Sequence, residues 1–157
     1  MTTSLQQEAV QDSAWPEGTC YGCGPANDNR LQLKSYLSEE GDRLVATFEP
    51  DDIFNSGAPN SMYGGLVASL IDCQAMWTAI VFTHLAEDRP LTDNLIQFVT
   101  SELHVDYLKP TPLDQPIHLQ SWVKDERGRK TRISCEIGPE GKVTAVGNVL
   151  GIRSDNP

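Results

Sequence analysis

Positive charge is scarce in this 157-residue chain: 12 Lys and Arg stand against 22 Asp and Glu, for a net charge of −10. A surface of that sign repels the phosphates of nucleic acids and of anionic lipids, which excludes both as main partners. The first residues, "MTTSLQQEAVQDSAWPEG", lack a basic stretch followed by an apolar one, so no secretory signal is read there. Four cysteines without an export signal are expected as free thiols in a reducing, cytoplasmic setting. Internal repeats and low-complexity runs are absent, which removes solenoids and fibrous arrays. The length suits one domain with its own core and is too short for two of ordinary size. Formal charge is missing from one long stretch as well: between Ile53 and Ala86 only Asp72 carries any.

The scarce positive charge is concentrated. Five of the twelve basic residues, Lys124, Arg127, Arg129, Lys130 and Arg132, fall within nine positions. An acidic chain with one short basic segment suits a small anionic ligand better than a polyanion.

Periodicity gives the organisation. Residues 1–17 are polar and aperiodic and read as a loose tail, leaving 18–153 as a single domain. "CYGCGPANDN" (20–29) is rich in Gly, Pro and Asn and marks a loop. "RLQLKSYL" (30–37) and "RLVATFEP" (43–50) alternate and read as a β-hairpin. "DDIFNSGAPNS" is a second loop, followed by an apolar run from about Tyr63 to His84. That run is long enough for a bilayer, but it holds Asp72, Gln74, two threonines and His84, and it lacks basic flanks. It reads as a buried helix, ended by Pro90. Four strands follow, near 95–108, 117–126, 129–137 and 142–152, with Leu103, Val105 and Tyr107 alternating in the first. Ile117 and Leu119 face inward in the second, with Trp122 a further candidate. Short connections make the last three antiparallel neighbours. The expected class is α+β: one long central helix wrapped by a curved antiparallel sheet of about six strands. One such sheet leaves part of the helix bare, which implies a partner subunit.

An unpartnered carboxylate in such a helix costs several kcal/mol. Asp72 therefore either meets a structural partner or is kept for chemistry.

The order of elements and four local patterns resemble the hotdog-fold acyl-CoA thioesterases of the phenylacetate-pathway type, including their mammalian branch. "YGGLVASLID" places Gly64, Gly65 and Asp72 at the spacing of that family's "HGG" and helix Asp. "VTSELHVDYLKP" (99–110) is similar to its central strand, Gly128–Lys130 to its "GRK", and Cys20, Cys23 and Gly24 to its "CxGCG" loop. Tyr63 stands where the family has His, and Asp28 and Arg30 where the loop usually has Pro and Gly.

The resemblance implies hydrolysis of an acyl-CoA thioester by a homodimer or a dimer of dimers, with no cofactor. By it, the Gly64 N–H is the oxyanion donor and Asp72 the general base on water or the nucleophile. Thr100 would hold the water or the Asp, although a strand Thr chosen for β-propensity reads the same way. Gly64 and Asp72 are about 12 Å apart along one helix, so each site would draw on two chains. Tyr63, Gly65, Asn55 and Asn60 are candidates for substrate contact; both asparagines also suit turns. Arg129, Lys130 and Arg132 would hold the CoA phosphates, or else form a solvated hairpin tip. The alternatives are an acyl-CoA binder that lost turnover with its His, and, more weakly, a hydratase or dehydratase. The CxxC of Cys20 and Cys23 lacks two further ligands in sequence, since Cys73 and Cys135 each stand alone, so no metal is expected. His84 and His104 read as structural.

Overall fold

A computed structural model describes residues 4–29 and 31–154. Two short helices, α1 (Ser4–Gln7) and α2 (Val10–Ala14), precede strands β1 (Ser35–Leu37) and β2 (Leu44–Phe48). The long helix α3 (Gly64–Ala86) follows, then β3 (Phe98–Tyr107), β4 (Ile117–Arg127), β5 (Lys130–Gly138) and β6 (Ala145–Arg153). All six strands form one antiparallel sheet in the order β1-β2-β4-β5-β6-β3. The sheet wraps α3, which packs on β2 through β6, and this is the hotdog fold that the element order implied.

The apolar run of α3 has no polar face to present, so the core forms around it. Leu70, Ile71, Ala75, Ala79 and Val81 are buried against inward residues of the sheet, among them Leu44, Leu119, Ile133, Ile137 and Val149. Each fully buried Leu or Ile stabilises the fold by about 1.5–3 kcal/mol relative to exposure. Close approach depends on glycine: a Cβ at Gly147 of β6 would lie 2.3 Å from Ile71 Cγ2. One stripe of α3 is left less covered. Gly65, Ser69, Asp72 and Met76, spaced at i, i+4, i+7 and i+11, are all half-buried or exposed.

Three details depart from the sequence reading. Residues 4–17 are not a loose tail: Ala9, Val10 and Gln11 are buried, and Gln11 Nε2 donates to Ser35 Oγ at 2.9 Å. Residues 1–3 and Arg30 lie outside the described residues. In β4 the period of two from Ile117 and Leu119 continues to Ser121, so Trp122 faces away from the core and lies under Arg43, whose Cζ is 5.2 Å from the indole. In β3 the expected alternation buries little. Leu103 and Tyr107 are exposed and only Phe98 and Val105 are half-buried, because β3 is an edge strand.

Candidate active site

The start of α3 is set by the loop before it. Tyr63 caps the helix in an extended conformation (φ −54°, ψ 127°), held by its N–H to the Phe54 carbonyl at 2.8 Å. Its carbonyl accepts the first helical bonds, from Leu66 and Val67. The N–H groups of Gly64 and Gly65 precede any intrahelical acceptor, and among the described residues neither has a recorded partner. They form a pair of free donors at the positive end of a 23-residue helix. The ring of Tyr63 lies over Gly65, where a Cβ would come within 2.4 Å of it, and the side chain is 60% exposed.

Two turns along α3, Asp72 sits on the less covered stripe. Thr100 Oγ1 donates to Asp72 Oδ1 at 2.5 Å, a short bond of the kind a charged acceptor makes. A β-bulge between Thr100 and Glu102 interrupts the β3–β6 register next to this contact, and bulges commonly re-aim a side chain at a site. Asp72 thus has a partner, but the partner is an exposed hydroxyl and the carboxylate stays reachable.

Tyr107, which the sequence marks only as an alternating strand residue, belongs to the same region. Its hydroxyl donates to the Gly64 carbonyl at 2.6 Å, tying the end of β3 to the first turn of α3. Its place in the "VDYLKP" motif was the available signal. Tyr107, Val67 and the 108–111 segment line a cavity of about 270 Å³ at the helix start. Val99, Leu103, Tyr107 and Leu108 are exposed apolar side chains of β3 and its end, and Tyr63 adds a further ring near the helix start. This edge strand, ten residues long, thus carries unpaired backbone groups beside exposed apolar side chains.

The other candidates are engaged locally. Asn55 Nδ2 donates to the Asp52 carbonyl and Asn55 Oδ1 accepts from Gly57 N–H. Asn60, at φ 48°, accepts from Leu113 N–H at 2.9 Å. Both do the work of turn residues, along a groove of about 500 Å³. The Arg129 guanidinium donates twice to the Arg153 carbonyl, at 2.8 and 2.6 Å, locking the β4–β5 turn to the end of β6. Arg132 reaches Glu102 at 3.5 Å, and Lys130 is exposed. A concavity of about 870 Å³ lies against β2, β4 and β5 and includes none of these residues.

His84 is structural, as read. Its Nε2 accepts from Ile96 N–H at 3.0 Å, so Nδ1 carries the proton that goes to the Arg89 carbonyl. Burial pulls its pKa below the ordinary value.

Comparison with known proteins agrees with this arrangement. The sequence profile of the thioesterase superfamily matches residues 60–146, more than half the chain. Rat acyl-coenzyme A thioesterase THEM4 is 25% identical over 107 residues, which are 68% of this chain and 40% of the rat protein. The chain therefore spans well under half of that relative's length. A thioesterase-superfamily protein from Shewanella loihica superposes with a TM-score of 0.61 at 31% identity, over 83% of this chain and 97% of that one. A Bacillus halodurans protein crystallised with CoA shares the fold, with a TM-score of 0.64 at 18% identity over 84% and 80% of the two chains. By its profile match and its hotdog fold, this chain belongs to the thioesterase superfamily.

Proposed function

We propose that the protein hydrolyses acyl-CoA thioesters at two composite sites of a homodimer. The observation that carries this reading is the Thr100–Asp72 contact: the one carboxylate of the apolar helix is held by a hydroxyl on the helix's least covered stripe. The second element is the pair of free amides of Gly64 and Gly65. A thioester carbonyl placed on them gains stabilisation as its oxygen becomes negative, worth roughly 10²–10³ in rate in other enzymes. Asp72 then takes a proton from water, or attacks the carbonyl itself.

The two elements are about 12 Å apart along one helix, too far to share one carbonyl. Pairing of two β3 edges about a two-fold axis covers the exposed apolar side chains and brings each Asp72 towards the partner's helix start. Lys130 and Arg132 serve the CoA phosphates in this reading. Arg129 contributes less, since its guanidinium already holds the Arg153 carbonyl. The Bacillus halodurans relative solved with CoA supports the ligand class.

A second reading has its own observation. Tyr63 replaces the family's His and its ring covers Gly65, so the chain could bind acyl-CoA without turning it over. Thiol release from short-, medium- and aryl-acyl-CoAs, measured for wild type and Asp72→Asn, separates the two. Hydrolysis is expected in wild type and its collapse in the variant; CoA esters that bind without thiol release would select the binder.

A further inference from the structure

Outside the active site, three cysteines from two distant parts of the chain converge. Cys20 and Cys23 lie in the loop before β1 and Cys73 on α3, and their three sulfurs lie within 4.8 Å of one another. The Cys20–Cys73 separation is 3.8 Å. We propose that these sulfurs form a site for a thiophilic d10 cation, zinc or copper(I), which clamps the "CYGCG" loop to α3 one residue from Asp72. The proposal does not depend on the hydrolase reading.

Spacing is the first argument. Metal–sulfur bonds of about 2.3 Å set ligand sulfurs about 3.8 Å apart in a tetrahedral site and about 4.0 Å apart in a trigonal one. The Cys20–Cys73 pair already has that separation. A disulfide would need about 2.05 Å and would leave the third sulfur over.

The loop is also built around the sulfurs. Gly24 N–H donates to the Cys20 carbonyl at 2.7 Å, closing a turn so tight that a Cβ at Gly24 would lie 2.4 Å from Cys20 N. At Gly22 a Cβ would lie 2.4 Å from Cys73 Sγ, so only glycine leaves the helix sulfur its place against the loop. The Trp77 indole N–H donates to Cys23 Sγ at 3.3 Å. Cys20 Sγ and Cys73 Sγ are 3.8 Å apart, and either can donate to the other. A donor aimed at sulfur, as the Trp77 indole is at Cys23, favours the metal-binding form of that ligand. Cysteines kept only for packing, like the buried Cys135, which stands outside this cluster, need no such donors.

Three sulfurs without a His, Asp or Glu in the cluster make a soft donor set, which selects zinc or copper(I) over hard cations. Cys20 is half-buried, so one side of the site opens to solvent. Copper(I) is satisfied by three sulfurs, whereas zinc would take a water there as fourth ligand. On binding, each S–H becomes a metal–sulfur bond and its proton goes to solvent.

The test uses the full chain without a metal-binding tag, reduced and handled without oxygen. Its metal content is measured as isolated, then zinc and copper(I) are titrated separately against chromophoric chelators, with cobalt(II) as a spectroscopic probe. One equivalent is expected to bind, with thiolate-to-cobalt charge-transfer bands. Cys73→Ser is expected to weaken binding about 100-fold or more while far-UV circular dichroism stays native. Cys20→Ser provides the same test should Cys73→Ser fail to fold, and Cys135→Ser should bind as wild type does. Zinc binding without copper(I), or the reverse, identifies the cation. Failure of the reduced wild type to bind either metal stoichiometrically would overturn the proposal. So would binding that Cys73→Ser and Cys20→Ser leave unchanged, or isolation of the protein metal-free with a Cys20–Cys73 disulfide.

Discussion

Removing the Thr100 hydroxyl tests the site through its best-defined contact. In Thr100→Val the replacement is nearly isosteric and β-branched, so it keeps the strand while deleting the donor to Asp72 Oδ1, now at 2.5 Å. Hydrogen bonds to charged groups contribute about 1.5–3 kcal/mol, and the exposure of this pair favours the lower end. With each 1.36 kcal/mol worth tenfold in rate, kcat for acyl-CoA hydrolysis should fall about 10- to 30-fold. Thr100 acts by holding Asp72 rather than by binding the acyl chain, so KM should hardly move. Thr100→Ser, which restores the hydroxyl, should recover most of the loss. The assay is continuous thiol detection over a substrate range. A kcat within twofold of wild type in Thr100→Val, or a Ser variant no better than the Val variant, would refute the positioning role.

Three further outcomes follow from the structure. Buried His84 must stay neutral, because Nε2 accepts from Ile96 while its pKa lies below the ordinary value of about 6.5. Its contribution to stability is whole above that pH and declines as pH falls towards the lower folded value; urea unfolding at pH 7.5, 6.5 and 5.5 should show this slope reduced in His84→Gln. Gln74 is fully buried, accepting from Ser35 Oγ at 2.7 Å and donating to Ser121 Oγ at 3.1 Å. Gln74→Leu leaves the Ser35 hydroxyl without its acceptor, while Ser121 Oγ keeps Thr78 Oγ1 at 2.6 Å, and should cost about 1–3 kcal/mol in chemical denaturation. A charge on the β3 edge, as in Leu103→Asp, should dissociate the proposed dimer in sedimentation or light scattering, with activity falling in step.

Much of the fold was legible because apolar periodicity reports directly on burial. The long helix and the last four strands stand within a few residues of where alternation and turn residues put them, and the hairpin is present although its first strand is only Ser35–Leu37 of the expected 30–37. Facing was less legible where one large apolar residue misled: Trp122 looks like core, yet the period from Ile117 and Leu119 sends it outward under Arg43. The N-terminal segment was misread for a different reason. Gln11 is polar, and its burial depends on Ser35, itself bonded to Gln74, partners far along the chain that leave no local signature. The same distance hid the cysteine cluster, since Cys73 meets the CxxC loop only after the helix has folded against it. The Thr100–Asp72 pair was anticipated through the family resemblance rather than from composition. The Arg129 bond to the Arg153 carbonyl is a side-chain-to-backbone contact that charge counting does not register.

Subunit mixing tests the central claim, that Asp72 of one chain serves the Gly64 amide of the other. Gly64→Pro removes the amide donor while keeping the helix, because Tyr63 already has the backbone a residue before proline needs and Gly64 is the first helical position. Alone, Gly64→Pro and Asp72→Asn should each be nearly inactive. Unfolded together and refolded, half the dimers are hybrids with one intact site each, so activity should return to about a quarter of wild type. A mixture no more active than its parents would contradict a site shared between subunits, and turnover by Asp72→Asn alone would contradict the role of Asp72 itself.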